Sequence, residues 1–295
     1  MHDKEKTNIV LVTIGIPFYN AEKYIDYAIR SVINQSYNNW ELILSDDGST
    51  DKSVEIAKKY LYDKRVKLIS DGENKGLPFR LNQQIGLANG NYFARMDADD
   101  IMHPERIERQ VEYLEANLSI DVIGSSAYSI DTENNVCGLL VSNAFPATLD
   151  DVFNNRCFIH PSVMARLSWY KNNLYSINQI RMEDGDLWAK SILKLKFANL
   201  QLFLMFYRCV GIFSLEKYLK SKKGSRRLIR KTFKGTFFME KYKLLVKNYA
   251  KVFVISFFSI IKREDILLKR RHVQICEKEK HIASIFLQKA INGKT

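Results

Sequence analysis

The chain of 295 residues predicts an α/β fold, a mostly parallel sheet flanked by helices, followed by a basic helical C-terminal extension. Three observations carry that expectation. The first hundred residues alternate short apolar runs with segments of helical periodicity, the rhythm of a parallel sheet built with right-handed crossovers. Hydrophobic residues make up 46% and charged residues 26%, ordinary for a globular chain able to bury a core. Charge is unevenly placed. Residues 1–150 carry 15 Lys and Arg against 23 Asp and Glu, a net of −8, whereas residues 151–295 carry 30 against 10, a net of +20.

Taken in order, Ile9 to Ile16 is a β-branched run that reads as a strand buried on both faces. Asn20 is placed to cap a helix carrying Tyr24, Ile25, Ala28, Ile29, Val32 and Ile33 on one side. Trp40 to Leu44 is a second strand, ending in Ser45-Asp46-Asp47-Gly48-Ser49. Asp51 to Leu61 has helical periodicity, with Ser49 or Thr50 as its cap. Val66 to Ile69 is a third strand, Pro78 to Ala88 a helix, and Tyr92 to Met96 a fourth strand running directly into Asp97-Ala98-Asp99-Asp100. Ligands of such sheets gather at the carboxyl ends of the strands. Polar clusters at 17–20, 46–49 and 97–100 all fall on that rim.

After Asp121 the pattern loosens. Val122 to Ala127 and Cys157 to Arg166 read as further strands, and Arg181 to Leu195 as a helix with Leu187, Trp188, Ile192 and Leu195 on one side. Glu216 to Lys247 is a basic stretch with aromatics and leucines between the charges. Nine Lys and Arg fall between Lys217 and Lys234. Such a segment gains on the order of 1 kcal/mol per basic residue at an anionic lipid surface. No repeat or Pro- or Gly-rich linker interrupts the chain, so the parse is a catalytic domain over 1–213 (a nucleotide half at about 8–100 and an acceptor half at about 101–213) and a basic extension over 214–295. Cys137, Cys157, Cys209 and Cys276 are too far apart for a zinc knuckle or redox pair, and read as free thiols in a reducing compartment. Met1 to Asn8 is polar without a signal-peptide pattern. No apolar run reaches the ~20 residues that span a bilayer. The nearest, Val252 to Ile261, is flanked by Lys251 and by Lys262 and Arg263, and reads as a buried or interfacial segment.

Asp97 and Asp99, one residue apart at a strand end and followed by Asp100, are suited to a hard divalent cation that also holds phosphate oxygens. A solvated acidic turn is the commoner explanation of a bare Asp-x-Asp. Asp46 and Asp47 read either as a turn before a helix cap or as acceptors for a nucleobase N–H or a ribose hydroxyl.

The motifs Thr13-Ile14-Gly15-Ile16-Pro17-Phe18-Tyr19-Asn20, Ser45-Asp46-Asp47-Gly48-Ser49-Thr50-Asp51, Asn74-Lys75-Gly76 and Met96-Asp97-Ala98-Asp99-Asp100 together resemble family 2 glycosyltransferases in order and spacing. The resemblance covers roughly residues 8 to 210. It implies the GT-A fold and inverting transfer from a nucleotide-diphosphate sugar, often UDP-linked, with Mn²⁺ or Mg²⁺. It places Pro17 and Tyr19 in the nucleoside pocket, Asp47 at the base with Asp46 beside it, Arg80 near the donor, and Asp97 at the ribose or sugar. Asp99 becomes the metal ligand. Glu183 and Asp184 match the family's Glu-Asp pair, with Asp184 as the general base that inversion requires. His160 in His160-Pro161-Ser162 is an acceptor-side candidate. One departure stands out: the family's Tyr-Arg is commonly followed by a His, whereas Tyr207-Arg208 is followed by Cys209, Val210 and Gly211, and the next His is His272.

The expected function is therefore transfer of a sugar from a nucleotide-sugar donor to a glycan or lipid-linked acceptor in surface polysaccharide synthesis, in the cytoplasm and peripherally on the inner face of the cell membrane. A catalytically impaired relative acting as a membrane scaffold is the alternative that the missing His leaves open. A nucleotidyltransferase would need a Gly-rich phosphate loop after the first strand, where Pro17-Phe18-Tyr19-Asn20 stands instead. Nucleic acid is not an expected partner, because the first half is net acidic and no base-reading motif occurs.

Overall fold

The computed structural model describes residues 10–154, 156–179, 181–209, 214–234, 238–261 and 273–293. Met1 to Asn8, Val210 and Gly211, Phe237, Lys262, Arg263 and His272 lie outside the described residues, as do Ile9, Ile180 and the 213/214 boundary.

The strands are β1 (Val12–Phe18), β2 (Trp40–Asp46), β3 (Val66–Ile69), β4 (Tyr92–Arg95), β5 (Ile101–Met102), β6 (Val122–Ile130), β7 (Val136–Leu140), β8 (Met164–Arg166) and β9 (Phe197–Arg208). The helices are α1 (Ile25–Ile33), α2 (Ser53–Lys58), α3 (Leu77–Leu87), α4 (Arg106–Ala116), α5 (Leu149–Phe153), α6 (Leu167–Asn172), α7 (Glu183–Ser191), α8 (Leu215–Thr232), α9 (Phe238–Ile260) and α10 (Glu277–Asn292). Among the described residues the strands form one sheet in the order β3-β2-β1-β4-β8-β6-β9-β5, with β7 added beside β6. β1, β2, β3 and β4 are mutually parallel, in a register that sets Phe18 opposite Asp46 and Gly15 opposite Arg95. Strand β8 runs antiparallel to both β4 and β6, so the parallel half ends at β4, and β6 pairs parallel with β9 on its other edge.

The parallel half follows the sequence pattern because its central strands are buried on both faces, whereas β3 at the edge is buried only at Val66. All seven positions of β1 and of β2 are buried, and Val12, Ile14, Ile16, Leu42 and Leu44 join one cluster with Ile25, Ala28, Ile29 and Val32 of α1. A second cluster joins α3, α6 and α7 to Phe93, Val122 and Phe197. A third sets Ala283, Leu287, Ala290 and Ile291 of α10 against Ile101, Ile130 and Phe206, so the end of the chain folds back onto the outer edge of the sheet.

Several local expectations are corrected. Asn20 does not cap α1, which begins at Ile25 after a turn of Tyr24. Asn20 has φ 47°, and its Oδ1 accepts the Thr50 N–H at 2.8 Å across to the next loop. Neither Ser49 nor Thr50 caps α2. Lys52 stands at that position, and the Ser53 N–H goes to Asp51 Oδ1 at 2.9 Å. Within Cys157 to Arg166 only the last three residues are strand, because Pro161 sits in a one-turn 3₁₀ segment, His160–Ser162. The basic stretch divides into α8 and α9. Leu228, Ile229 and Phe233 turn inward to the second cluster, leaving the charges outside. No disulfide joins the four cysteines; Cys157 is buried and the others are exposed. No helix among the described residues is long and apolar enough to cross a membrane.

Candidate active site

The loops after β1, β2 and β4 meet at one rim. Those after β1 and β2 are laced together: the Asn20 N–H donates to Ser49 Oγ at 3.0 Å, the Ala21 N–H to Ser53 Oγ at 2.7 Å, and the Asp47 N–H to the Phe18 carbonyl at 2.8 Å. Gly48 turns the β2 loop with φ +77°, and a Cβ there would press on the Glu73 and Asn74 backbone at 3.0 Å, so no larger residue fits. Pro17 is buried in β1, and Tyr19 beyond it is 52% exposed on the rim.

Asp46 and Asp47 are both buried at the end of β2. Asp46 accepts the Ser49 N–H at 2.9 Å and the Ser70 hydroxyl at 2.8 Å. Asp47 accepts the backbone N–H groups of Lys75 at 2.8 Å and Gly76 at 3.0 Å, and Arg80 Nε at 3.0 Å. Arg80 is fully buried, and its other donors go to Asp71, Gln83 and the Glu73 carbonyl. Arg80 thus fixes Asp47 and the 71–76 loop together. The Asn74-Lys75-Gly76 motif serves the same join, since its N–H groups are what Asp47 binds.

After β4 the three aspartates converge. Asp97, Asp99 and Asp100 each offer a carboxylate oxygen within 4.8 Å of the others. Burial, then repulsion from Asp97, pushes the Asp99 carboxyl up to about 6. Asp100 is buried and raised as well, by burial first and by Asp99 next. Its Oδ1 accepts the Arg208 N–H at 2.8 Å, while Oδ2 is buried without a hydrogen-bond partner. Crowded carboxylates with an orphaned oxygen are the donor set a hard divalent cation requires, so these residues fit the implied ion. Arg208 closes the back of this loop. Its Nε donates to the Asp99 carbonyl at 2.6 Å, its other nitrogens reach Asp131 and Asn134, and its guanidinium lies 4.2 Å over the Tyr24 ring. Cys209, where the family's His commonly stands, is exposed.

Glu183 and Asp184 open α7, where the macrodipole favours acids. Arg181 and Met182 just before them both hold left-handed φ, 56° and 68°, a strained entry for two residues with side chains. Gly185 makes the room: a Cβ there would lie 2.7 Å from the Met182 methyl. Both carboxyls are half-buried and raised by burial, Glu183 further by its neighbour, while the Gly185 N–H and Arg95 partly offset the shift at Asp184. Asp186 is different. It is buried and ion-paired to Lys190 and to Lys231 of α8, which hold its carboxyl down against its burial, and it also accepts the Ser176 hydroxyl. It anchors α7. His160 Nε2 lies 2.9 Å from the Tyr175 hydroxyl, and burial, then Arg95, keeps its pKa well below the ordinary value.

Sequence reasoning missed the group that connects these parts. Arg95, the last residue of β4, is buried, pairs with Asp97, and lowers the carboxyl pKa of Asp99, Asp100, Glu183 and Asp184. Arg106 lies fully buried beneath it and donates to the Arg95 and Val163 carbonyls at 2.9 and 3.2 Å. A charged residue inside an apolar strand, two positions before an acidic loop, was the available signal.

The mixed sheet with carboxylates at its strand ends is the GT-A glycosyltransferase fold. The chain belongs to glycosyl transferase family 2, whose model matches residues 13–162, just over half of it, and it is a glycosyltransferase. It is 39% identical over 186 residues to EpsE of Bacillus subtilis (strain 168), a protein with a glycosyltransferase name, over 61% of this chain and 66% of that one. It is 32% identical over 282 residues to an uncharacterized glycosyltransferase of Haemophilus influenzae, over 88% and 84%. It is 34% identical over 138 residues to the Escherichia coli chondroitin synthase, over 46% of this chain and 19% of that one. Two solved structures share the fold. Staphylococcus aureus TarS 1–349 in complex with UDP-GlcNAc has a TM-score of 0.60 at 19% identity, covering 95% of this chain and 81% of that one. The mannosyltransferase PcManGT from Pyrobaculum calidifontis, in complex with GDP-Man and Mn²⁺, has 0.61 at 13%, covering 97% and 82%.

Proposed function

We propose that this glycosyltransferase is an inverting hexosyltransferase. It moves a sugar from a nucleotide-diphosphate donor, UDP-sugars first, to a hydroxyl of a glycan or lipid-linked acceptor in surface polysaccharide synthesis. The observation that carries the proposal is the convergence of Asp97, Asp99 and Asp100 beside Arg95, whose field also reaches Glu183 and Asp184. Those two acidic groups match the two tasks of the reaction, holding the leaving diphosphate and taking a proton from the acceptor.

Asp99, with Asp97 and Asp100 beside it, would hold a divalent ion, Mn²⁺ or Mg²⁺, which supplies positive charge to the departing nucleoside diphosphate. Asp184 accepts the acceptor hydroxyl proton as the new O–C1 bond forms. The C1–O bond to phosphate breaks, the electron pair leaves with the diphosphate, and C1 inverts. A half-buried carboxylate with a raised pKa is a stronger base than an exposed one, and a positioned base contributes typically ~10²–10⁴-fold. Glu183, whose charge keeps that of Asp184 company, sets the local field. Pro17 and Tyr19 line the nucleoside side. Asp47 is held for the base by Arg80, which serves the donor through Asp47. Asp46 holds the loop between them through Ser49 and Ser70. His160, neutral and joined to Tyr175, faces the acceptor. The complexes of TarS with UDP-GlcNAc and of PcManGT with GDP-Man and Mn²⁺, and the name chondroitin synthase, support this class of donor, ion and product.

The catalytic part is 1–213, and 214–295 is an extension that holds the enzyme peripherally on the inner, cytoplasmic face of the cell membrane. Calorimetric titration with UDP-, GDP- and TDP-sugars, with and without Mn²⁺ and repeated on Asp99→Ala, tests the proposal. Ion-dependent binding of one nucleotide class that the variant loses is the expected result. Absence of binding to all of them by folded protein overturns it. That outcome favours the impaired scaffold, for which the one specific observation is Cys209 in place of a His.

A further inference from the structure

Helix α9 packs one face onto α8 and leaves the other without cover among the described residues. Its packed face is fixed by buried Leu244 and Asn248, the latter accepting Arg226 Nη1 at 2.9 Å and donating to Ser225 Oγ at 3.2 Å. The opposite face carries Val246, Phe253, Phe257 and Ile260, spaced by three, four and seven so that they form one stripe. Tyr249 at its edge lies against α8, with the Arg226 guanidinium 4.7 Å over its ring and Arg230 donating to its hydroxyl at 3.4 Å. The four stripe residues are exposed, Phe253 at 75% and Ile260 at 78%. The stripe runs about 21 Å along the helix at 1.5 Å per residue. A continuous apolar strip of that length is not an ordinary monomer surface.

Charge says what covers it. Residues 214–261 carry 13 Lys and Arg against 2 Asp and Glu, a net of +11. Lys243 stands on one flank of the stripe, whereas Lys247 and Lys251 turn toward the packed side, Lys247 pairing with Asp150 at 2.8 Å and Lys251 donating to Asn154 Oδ1 at 2.7 Å. A second copy docking stripe to stripe would bring two such +11 surfaces together, so an anionic surface is the partner that fits.

We propose that the exposed face of α9 enters the headgroup layer of an anionic phospholipid bilayer, the helix lying in the plane of the surface with Lys243 beside the stripe against lipid phosphates. This rests on the membrane location given above and assigns it to α9, because the apolar residues of α8 are spent inside the protein. The test is co-sedimentation of the full chain with phosphatidylcholine vesicles, with and without phosphatidylglycerol. It is repeated on Phe253→Ser/Phe257→Ser, with nucleotide titration and light scattering on every sample. Expected are binding that depends on phosphatidylglycerol, a loss of about tenfold or more in the double variant as two aromatic anchors leave the interface, and unchanged nucleotide affinity. A Phe253→Trp variant shifts its emission to the blue only with the anionic vesicles. Equal sedimentation of parent and double variant, or none by the parent, overturns the proposal. So does a stable dimer that the double variant dissolves, or retention on RNA but not on vesicles. Nucleotide binding is read separately, so loss of the donor reading and loss of the lipid reading are distinguishable.

Discussion

Arg80→Met tests whether Arg80 serves the donor directly or through Asp47. The guanidinium is fully buried, and it binds Asp47 at 3.0 Å, Gln83 at 3.1 Å, Asp71 and the Glu73 carbonyl. Methionine fills much of the same volume but leaves the Asp47 carboxylate, itself 7% exposed, without its counter-charge. Breaking a buried pair from one side costs ~3–5 kcal/mol. The Lys75 and Gly76 N–H groups remain on Asp47, and Asp71 is a third exposed and returns to water, so the lower end applies, about 3 kcal/mol. For a chain of this size that lowers Tm by roughly 5 °C. Adding Asp47→Asn removes the stranded charge. The double variant is then more stable than the sum of the singles by about 1–3 kcal/mol. Differential scanning calorimetry gives both values, and nucleotide titration alongside gives the donor affinity. A Tm within about 2 °C of the parent, which that scale equates with at most ~1 kcal/mol, together with abolished nucleotide binding, refutes the clamp and makes Arg80 a direct donor contact.

Asp184→Asn removes the proposed base but keeps its shape. It should lower kcat by ~10²–10⁴ while nucleotide affinity and Tm stay near the parent's, a split that steady-state kinetics beside titration resolves. Because Asp184 must be ionised and its pKa is raised by burial, kcat/KM should fall on the acid side with a midpoint above about 4, the ordinary aspartate value, and a pH–rate profile reads it. Glu41 gives a stability prediction. Burial would push its carboxyl up, but the Asn89 N–H, Thr13 and Lys67 outweigh this and draw it from 4.5 to about 2. A folded pKa below the unfolded one stabilises fully above about 4.5, and that part is lost as pH falls through about 2. Glu41→Gln should therefore cost roughly 3 kcal/mol in urea unfolding at pH 7 and much less at pH 3. Lys231→Met, which unpairs the buried Asp186 from α8 but leaves Lys190, should cost about 1–2 kcal/mol and leave kcat unchanged.

The parallel half of the fold was legible because its strands are buried on both faces and its helices on one, so hydrophobic periodicity carries the signal. Helix α3 was placed within a residue at each end, its start marked by Pro78 in the first turn. Strand β9 was not legible. Its twelve residues pair parallel with β6 through two register shifts, and alternate buried and exposed stretches follow no single period. The two-residue β5 exists only through its pairing with β9. In the candidate site, Asp97 and Asp99 stood out because carboxylates at a strand end are conspicuous by type and spacing, whereas Asp184 was singled out through the family resemblance. Arg95 and Arg106 were not, because a buried guanidinium has meaning only through what the fold sets around it.

Those two arginines explain why the acidic rim can exist before any ligand arrives. Five carboxylates, Asp97, Asp99, Asp100, Glu183 and Asp184, share the field of Arg95. Arg106 does not neutralise them by contact. Its donors go to Gln110, the Met205 sulfur and two carbonyls, and burial, then repulsion from Arg95, lowers its pKa to about 9. Its role is to fix the β4 backbone from which Arg95 projects. Arg208 likewise grips the acidic loop through the Asp99 carbonyl, and ties it to the turn after β6 through the Asp131 carbonyl. One guanidinium paired to Asp97 therefore faces an excess of negative charge, and burial first, with that excess second, raises the carboxyls of Asp99, Asp100 and Asp184. Arriving positive charge favours ionised Asp97, Asp99 and Asp100. The same charge stabilises the anionic form of Asp184 at longer range, so the acid cluster and the base are coupled through the field that Arg95 already centres.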